Sequence, residues 1–119
     1  MMAYTPPPPA IEIEPHVQER YQLKLSQKEV QFLGNFNLAV LSLSMGNTLI
    51  LERATIASMH RRYHDRWLNP KPCTLNLTAA EAIAMRRILE KAPVHMAPMD
   101  SVDRHNIFGK LSQQLVFIQ

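Results

Sequence analysis

Two stretches of this chain alternate apolar and polar residues and then change period. Tyr21-Gln22-Leu23-Lys24-Leu25 and Cys73-Thr74-Leu75-Asn76-Leu77 both place apolar side chains at every second position. That is the spacing of a strand with one buried face. Each stretch is followed at once by a hydroxyl residue with glutamate three places on, Ser26 with Glu29 and Thr78 with Glu81. This is the capping-box pattern, in which the hydroxyl accepts from the third backbone amide and the glutamate returns to the cap amide. Both segments therefore predict a short strand feeding a helix.

The period beyond each box is helical. Val30, Phe32, Leu33, Phe36, Ala39, Val40 and Leu43 predict a helix from about Gln27 to Leu43. Its apolar arc is wide enough for a central position, although residues 38–43 also fit a strand. Gly46 and Asn47 punctuate the chain. A second helix is predicted from about Thr48 to Trp67, with Leu49, Ile56, Met59, Tyr63 and Trp67 on one arc and Arg62 and Arg66 opposite. Asn69-Pro70-Lys71-Pro72 breaks it. In the second half Thr78 opens a helix to about Lys91, and Pro93 and Pro98 bound a loop. A last helix, from about Ser101 to Val116, carries Phe108, Leu111 and Leu115 on one side. The expected fold is α+β and mostly helical. Two pseudo-repeated strand–helix–helix units, 21–69 and 73–119, share one domain, with the strands paired as a short two-stranded antiparallel ribbon over four helices. A ribbon of two strands needs such helices to be stable.

Residues 1–20 read differently. Pro6, Pro7, Pro8 and Pro9 form a short polyproline II rod, stiff and without backbone donors. Ile11-Glu12-Ile13-Glu14 then alternates apolar and acidic residues until Pro15. The pattern predicts an extended N-terminal arm that docks on a partner through Ile11 and Ile13.

Composition narrows the classes. The chain has 119 residues, 46% of them apolar, which suits one packed domain. Its single cysteine, Cys73, supports neither an internal disulfide nor a cysteine-rich zinc site. No apolar run reaches the roughly 18–20 residues of a membrane span. The start, Met1-Met2-Ala3-Tyr4-Thr5, lacks the basic-then-apolar pattern of a secretory signal. A cytoplasmic protein is expected, in the host cell or in a virion if phage-encoded, with no membrane partner. The net charge of +3 is uneven. Glu12, Glu14 and Glu19 make the arm acidic, and the remaining body is basic. A mildly basic body is compatible with nucleic acid.

The strand–helix–helix pattern resembles the ribbon-helix-helix proteins. The matching residues in the first unit are Gln22-Leu23-Lys24-Leu25, the helix from Gln27, the turn Gly46-Asn47-Thr48 and the helix through Trp67. In that family two units pair their strands, and outward strand side chains read base edges in the DNA major groove. The resemblance implies Gln22, Lys24, Thr74 and Asn76 as the base-reading positions. It implies Asn47 and Thr48 as the place where phosphate meets a helix N-terminus. The second unit has Met99-Asp100-Ser101 in place of the glycine turn.

Other groupings carry candidate chemistry. His60 and His64 stand four apart on one predicted helix, but zinc needs a third protein ligand. His95, Met96 and Met99 offer soft ligands in one loop, a pattern equally suited to filling gaps. No phosphate-binding glycine loop, nucleophile elbow or metalloprotease motif is present. No catalytic residue, metal, cofactor or small-molecule substrate is assigned, and a non-enzymatic protein is expected. Arg61, Arg62 and Arg66 form the densest basic patch, followed by Arg86 and Arg87. The leading expectation is a protein-binding accessory factor of phage or mobile-element type. It would be an inhibitor or adaptor of a host complex, or a virion assembly component, with contacts through the arm and Arg61, Arg62 and Arg66, and self-assembly is also open to it. The alternative is a sequence-specific DNA-binding regulator of ribbon-helix-helix type.

Overall fold

The computed structural model describes residues 20–42, 48–92 and 101–115. The arm up to residue 19, the Gly46-Asn47 turn, the loop holding Pro93, His95, Met96, Pro98 and Met99, and Val116 lie outside the described residues.

Seven elements run in the order β1 (Tyr21–Leu25), α1 (Gln27–Ser42), α2 (Ile50–Arg62), α3 (His64–Leu68), β2 (Cys73–Leu77), α4 (Ala79–Lys91) and α5 (Ser101–Gln114). The fold is α+β and mostly helical, with one two-stranded antiparallel sheet. Tyr21 faces Leu77, Gln22 faces Asn76, Leu23 faces Leu75, Lys24 faces Thr74 and Leu25 faces Cys73. Tyr21, Leu23, Leu25, Leu75 and Leu77 are buried on the lower face, while Gln22, Lys24, Thr74 and Asn76 are exposed on the upper. The period-two pattern thus sets the orientation of the ribbon, because a one-residue slip of either strand would expose its apolar set.

The helices supply what the ribbon rests on. Val30, Leu33, Phe36 and Val40 of α1, Ile56 and Met59 of α2, Met85 and Ile88 of α4, and Ile107 and Leu111 of α5 join the strand leucines in one core. Each large side chain buried there contributes about 1.5–3 kcal/mol from removal of apolar surface from water. Residues 38–42 are helical, so the strand alternative for that stretch is excluded there. A helix lets Phe36 and Val40 reach the same core as Leu33, three residues and seven residues along one face.

The helices depart from the sequence expectation. The helix expected from Thr48 to Trp67 is broken, and the helices number five among the described residues rather than four. Tyr63 leaves helical geometry at φ −105° and ψ 29°. Its ring hydroxyl donates to the Asn76 carbonyl and accepts from the Asn76 amide, both at 2.8 Å. The chain resumes as α3, which turns Trp67 back so that its indole N–H donates to the His60 carbonyl at 2.8 Å. Tertiary bonds at Tyr63 and Trp67 override the helical periodicity here. The units also differ in their helices, three short of the break between them and two beyond it. The last helix, expected to about Val116, is described over Ser101–Gln114, and Val116 lies outside the described residues.

Close packing of α3 on α1 depends on Gly34. A Cβ at that position would meet Trp67 Cβ and Cε3 at 3.3 Å, so a bare backbone is what admits the indole. At the far end of α4, Arg104 of α5 donates to the carbonyls of Leu89 (2.7 Å) and Ala92 (2.6 Å). It thereby occupies acceptors that a helix C-terminus leaves open. Burial lowers the affinity of that guanidinium for its proton.

Candidate functional site

The upper face of the ribbon carries the four positions singled out for base reading. Cross-strand register places Gln22 beside Asn76 and Lys24 beside Thr74. All four side chains are exposed, and every one is polar with hydrogen-bonding capacity. The sequence spacing alone put two on each strand. Pairing brings them into one two-by-two array.

The array is held from beneath and from both edges. Both capping boxes form. Glu29 N–H donates to Ser26 Oγ at 3.2 Å and Ser26 N–H to Glu29 Oε1 at 2.8 Å. Glu81 N–H donates to Thr78 Oγ1 at 3.1 Å and Thr78 N–H to Glu81 Oε1 at 2.9 Å. Each capping glutamate then receives a cation from the other half of the chain. Lys110 of α5 donates to Glu29 Oε1 at 2.7 Å and to the Lys24 carbonyl at 2.7 Å. Arg62 of α2 pairs with both carboxylate oxygens of Glu81, its Nη2 at 2.7 Å from Oε1, and donates to the Asn76 carbonyl at 3.0 Å. Lys24 and Asn76 each stand two residues before their capping residue. The same joint is therefore built at both ends of the ribbon.

Side chains also occupy part of both sheet edges. On the β1 side the Gln22 carbonyl accepts from Gln114 Nε2 at 2.7 Å, next to the Lys24 carbonyl held by Lys110. On the β2 side Tyr63 and Arg62 take both backbone groups of Asn76. An unpaired edge invites another strand, and here side chains hold the carbonyls of Gln22 and Lys24 and both backbone groups of Asn76. The outward backbone groups at these residues also mark Gln22–Asn76 and Lys24–Thr74 as the closely spaced pairs of an antiparallel ladder, with Cα atoms about 4.5 Å apart.

The electrostatics follow from the joints. Burial pushes the carboxyls of Glu29 and Glu81 up. Lys110 with Ser26, and Arg62 with Thr78, outweigh that effect and hold both below the usual carboxylate range. Arg62 is in turn held more firmly protonated, chiefly by its bond to Glu81. The flanking cations are thus matched by carboxylates, and Lys24 is the one charged side chain of the array itself.

The other positions are placed as follows. Arg61, Arg62 and Arg66, expected together in a binding patch, are all exposed, and Arg62 also pairs with Glu81. Arg87 pairs with Glu52 at 3.0 Å, and Arg86 donates to Ser112 Oγ at 2.9 Å over the Phe108 ring. Thr48 is exposed at the start of α2, the opposite end of that helix from Arg62, and Asn47 lies outside the described residues. Pro6, Pro7, Pro8, Pro9, Ile11 and Ile13 lie outside them too. His60 stacks on Trp67 with ring centres 5.2 Å apart. Burial, aided by the charge of His64, makes its imidazole harder to protonate. Burial likewise raises the Cys73 thiol, partly offset by Arg66. Among the described residues no three ligating side chains converge on one point, and no helix is long and apolar enough to cross a membrane.

Sequence reasoning missed the roles of Lys110, Gln114, Arg62 and Tyr63 at the ribbon. The capping boxes were the available signal, since a buried capping carboxylate calls for a cation, but nothing in the local pattern says which one. Comparison with protein-family models, curated proteins and solved structures finds no match, so the functional reading stands on this geometry.

Proposed function

We propose that the exposed face of the ribbon docks in the major groove of duplex DNA and that the protein is a DNA-binding regulator. The observation that carries this reading is the cross-strand register, which gathers Gln22, Lys24, Thr74 and Asn76 on one face. A two-stranded ribbon fits a groove about 12 Å wide, and these residue types match base-edge donors and acceptors. The side chains bound to the Gln22, Lys24 and Asn76 backbone hinder addition of a strand from a partner and favour use of the face. The resemblance of the strand–helix–helix pattern to ribbon-helix-helix proteins points the same way.

The test is fluorescence anisotropy of the purified chain with a random duplex from about 50 to 200 mM salt. Binding at low salt that weakens steeply through counterion release is expected. No binding at about 50 mM salt overturns the reading. Lys24→Ala combined with Asn76→Ala should remove sequence preference and leave the melting temperature unchanged, since neither side chain is buried.

A second reading, a non-enzymatic protein-binding accessory factor, is favoured by the exposed Arg61, Arg66 and Leu68 around the end of α2 and α3, with Leu68 70% exposed. Under it, deletion of residues 1–15 or charge reversal of Arg61 and Arg66 abolishes capture of a protein partner, and the ribbon double variant does not.

A further inference from the structure

We infer that the ribbon face recognises a non-palindromic DNA site, with adenine under one end and guanine under the other. This deepens the DNA reading and rests on it.

The argument begins with the register. Ser26 and Thr78 are separated along the chain by the same interval as Leu23 and Leu75. Leu23 and Leu75 face each other at the middle of the five-residue ladder. The ribbon is thus centred on two corresponding residues, as a symmetric pair of identical strands would be. In such a pair the residues on either side of the centre would be the same at both ends. Here they are not. The interval that relates Leu23 to Leu75 relates Gln22 to Thr74 and Lys24 to Asn76. One end of the face therefore presents two carboxamides, Gln22 beside Asn76, and the other presents an ammonium and a hydroxyl, Lys24 beside Thr74.

The chemistry of the two ends differs accordingly. A carboxamide gives and takes one hydrogen bond at once, which matches adenine N6 and N7. An ammonium only donates, which matches guanine O6 and N7, and the threonine methyl suits the thymine methyl. Gln22 and Lys24 are two residues apart on one strand, about 6.8 Å, or roughly two base-pair steps of 3.4 Å. Identical subunits impose two-fold symmetry on their sites. Both strands here belong to one chain, so nothing imposes that symmetry.

The test is selection of bound duplexes from a randomised library by the full chain. The expected result is a motif without dyad symmetry, with adenine enriched at one end and guanine about two steps away. A second arm uses Lys24→Asn with Thr74→Gln, which gives both ends one glutamine and one asparagine. This variant is expected to select a palindromic, adenine-containing site and to lose roughly 5- to 150-fold in affinity for the original motif, the range for one lost base contact. All four positions are exposed, and unchanged circular dichroism verifies the fold. A palindromic motif from the unaltered chain overturns the inference and leaves DNA binding intact. So does random-duplex binding without any enriched sequence. Absence of binding to random duplex at low salt overturns the DNA reading itself.

Discussion

Leu23 and Leu75 face each other at the centre of the ribbon, and both are fully buried. Their pairing fixes which side chains meet water above them. A slip of one residue would send Gln22 or Asn76 into the core and lift leucine out of it. The two cap joints anchor the ribbon to helices of the opposite half, Glu29 to α5 and Glu81 to α2. Shape at the ribbon and stability of the fold are therefore coupled through a few polar groups.

Removing the cation of either joint strands a carboxylate. Glu29 and Glu81 have side chains only 7% and 6% exposed. Lys110→Met and Arg62→Met are each expected to cost about 1–2 kcal/mol, below the full cost of a buried unpaired charge because the cations are part-exposed. Urea denaturation measures both. Glu52→Ala, which breaks the more exposed pair with Arg87, should cost under about 1 kcal/mol in the same assay.

Acid weakens the fold with a definite sign. Both capping carboxyls are held below their ordinary value of 4.5. The unfolded chain therefore takes up protons first as pH falls. The stabilisation they provide is complete above that value and is lost as pH drops through their folded values. His60, harder to protonate than its ordinary 6.5, adds an earlier loss that begins below about 6.5. Denaturation midpoints from pH 8 to pH 3 should fall in two stages, and His60→Phe should remove the first.

Asn37 lies fully buried in α1, and neither polar atom of its side chain has a hydrogen-bond partner among the described residues. A buried amide left so costs about 1–3 kcal/mol. Asn37→Leu, which keeps the branched four-heavy-atom skeleton and removes the polar groups, is expected to raise stability by about 1 kcal/mol. An unchanged or lowered denaturation midpoint contradicts this account of the site.

Gly34→Ala tests the approach of α3. In an open helix that change gains about 0.8–1 kcal/mol. The new methyl would press on Trp67 Cβ and Cε3 at 3.3 Å, and the indole is pinned by its bond to the His60 carbonyl and by stacking on His60. A net loss of about 0.5–2 kcal/mol is expected, with a shift in Trp67 fluorescence. Gly109, which has open space where a Cβ would stand, should show the gain instead.

What was legible beforehand had local causes. Alternation at Tyr21–Leu25 and Cys73–Leu77 identified the strands and their outward residues. Two hydroxyl–glutamate pairs marked the helix starts, because a cap is completed by residues three apart. The helix starting at Thr78 was also right at its far end, Lys91, where the apolar period stops. The tertiary structure decided what depends on distant partners. It chose Lys110 for Glu29 and Arg62 for Glu81, and it broke the helix at Tyr63 to bind the backbone of Asn76. It also chose the register that turns four separate polar residues into one array. Periodicity and capping are paid for within a few residues, so the sequence alone determined them. Register, edge contacts and charge pairing arise only when residues from 13 to 92 apart in the chain meet, and only the folded chain decides those.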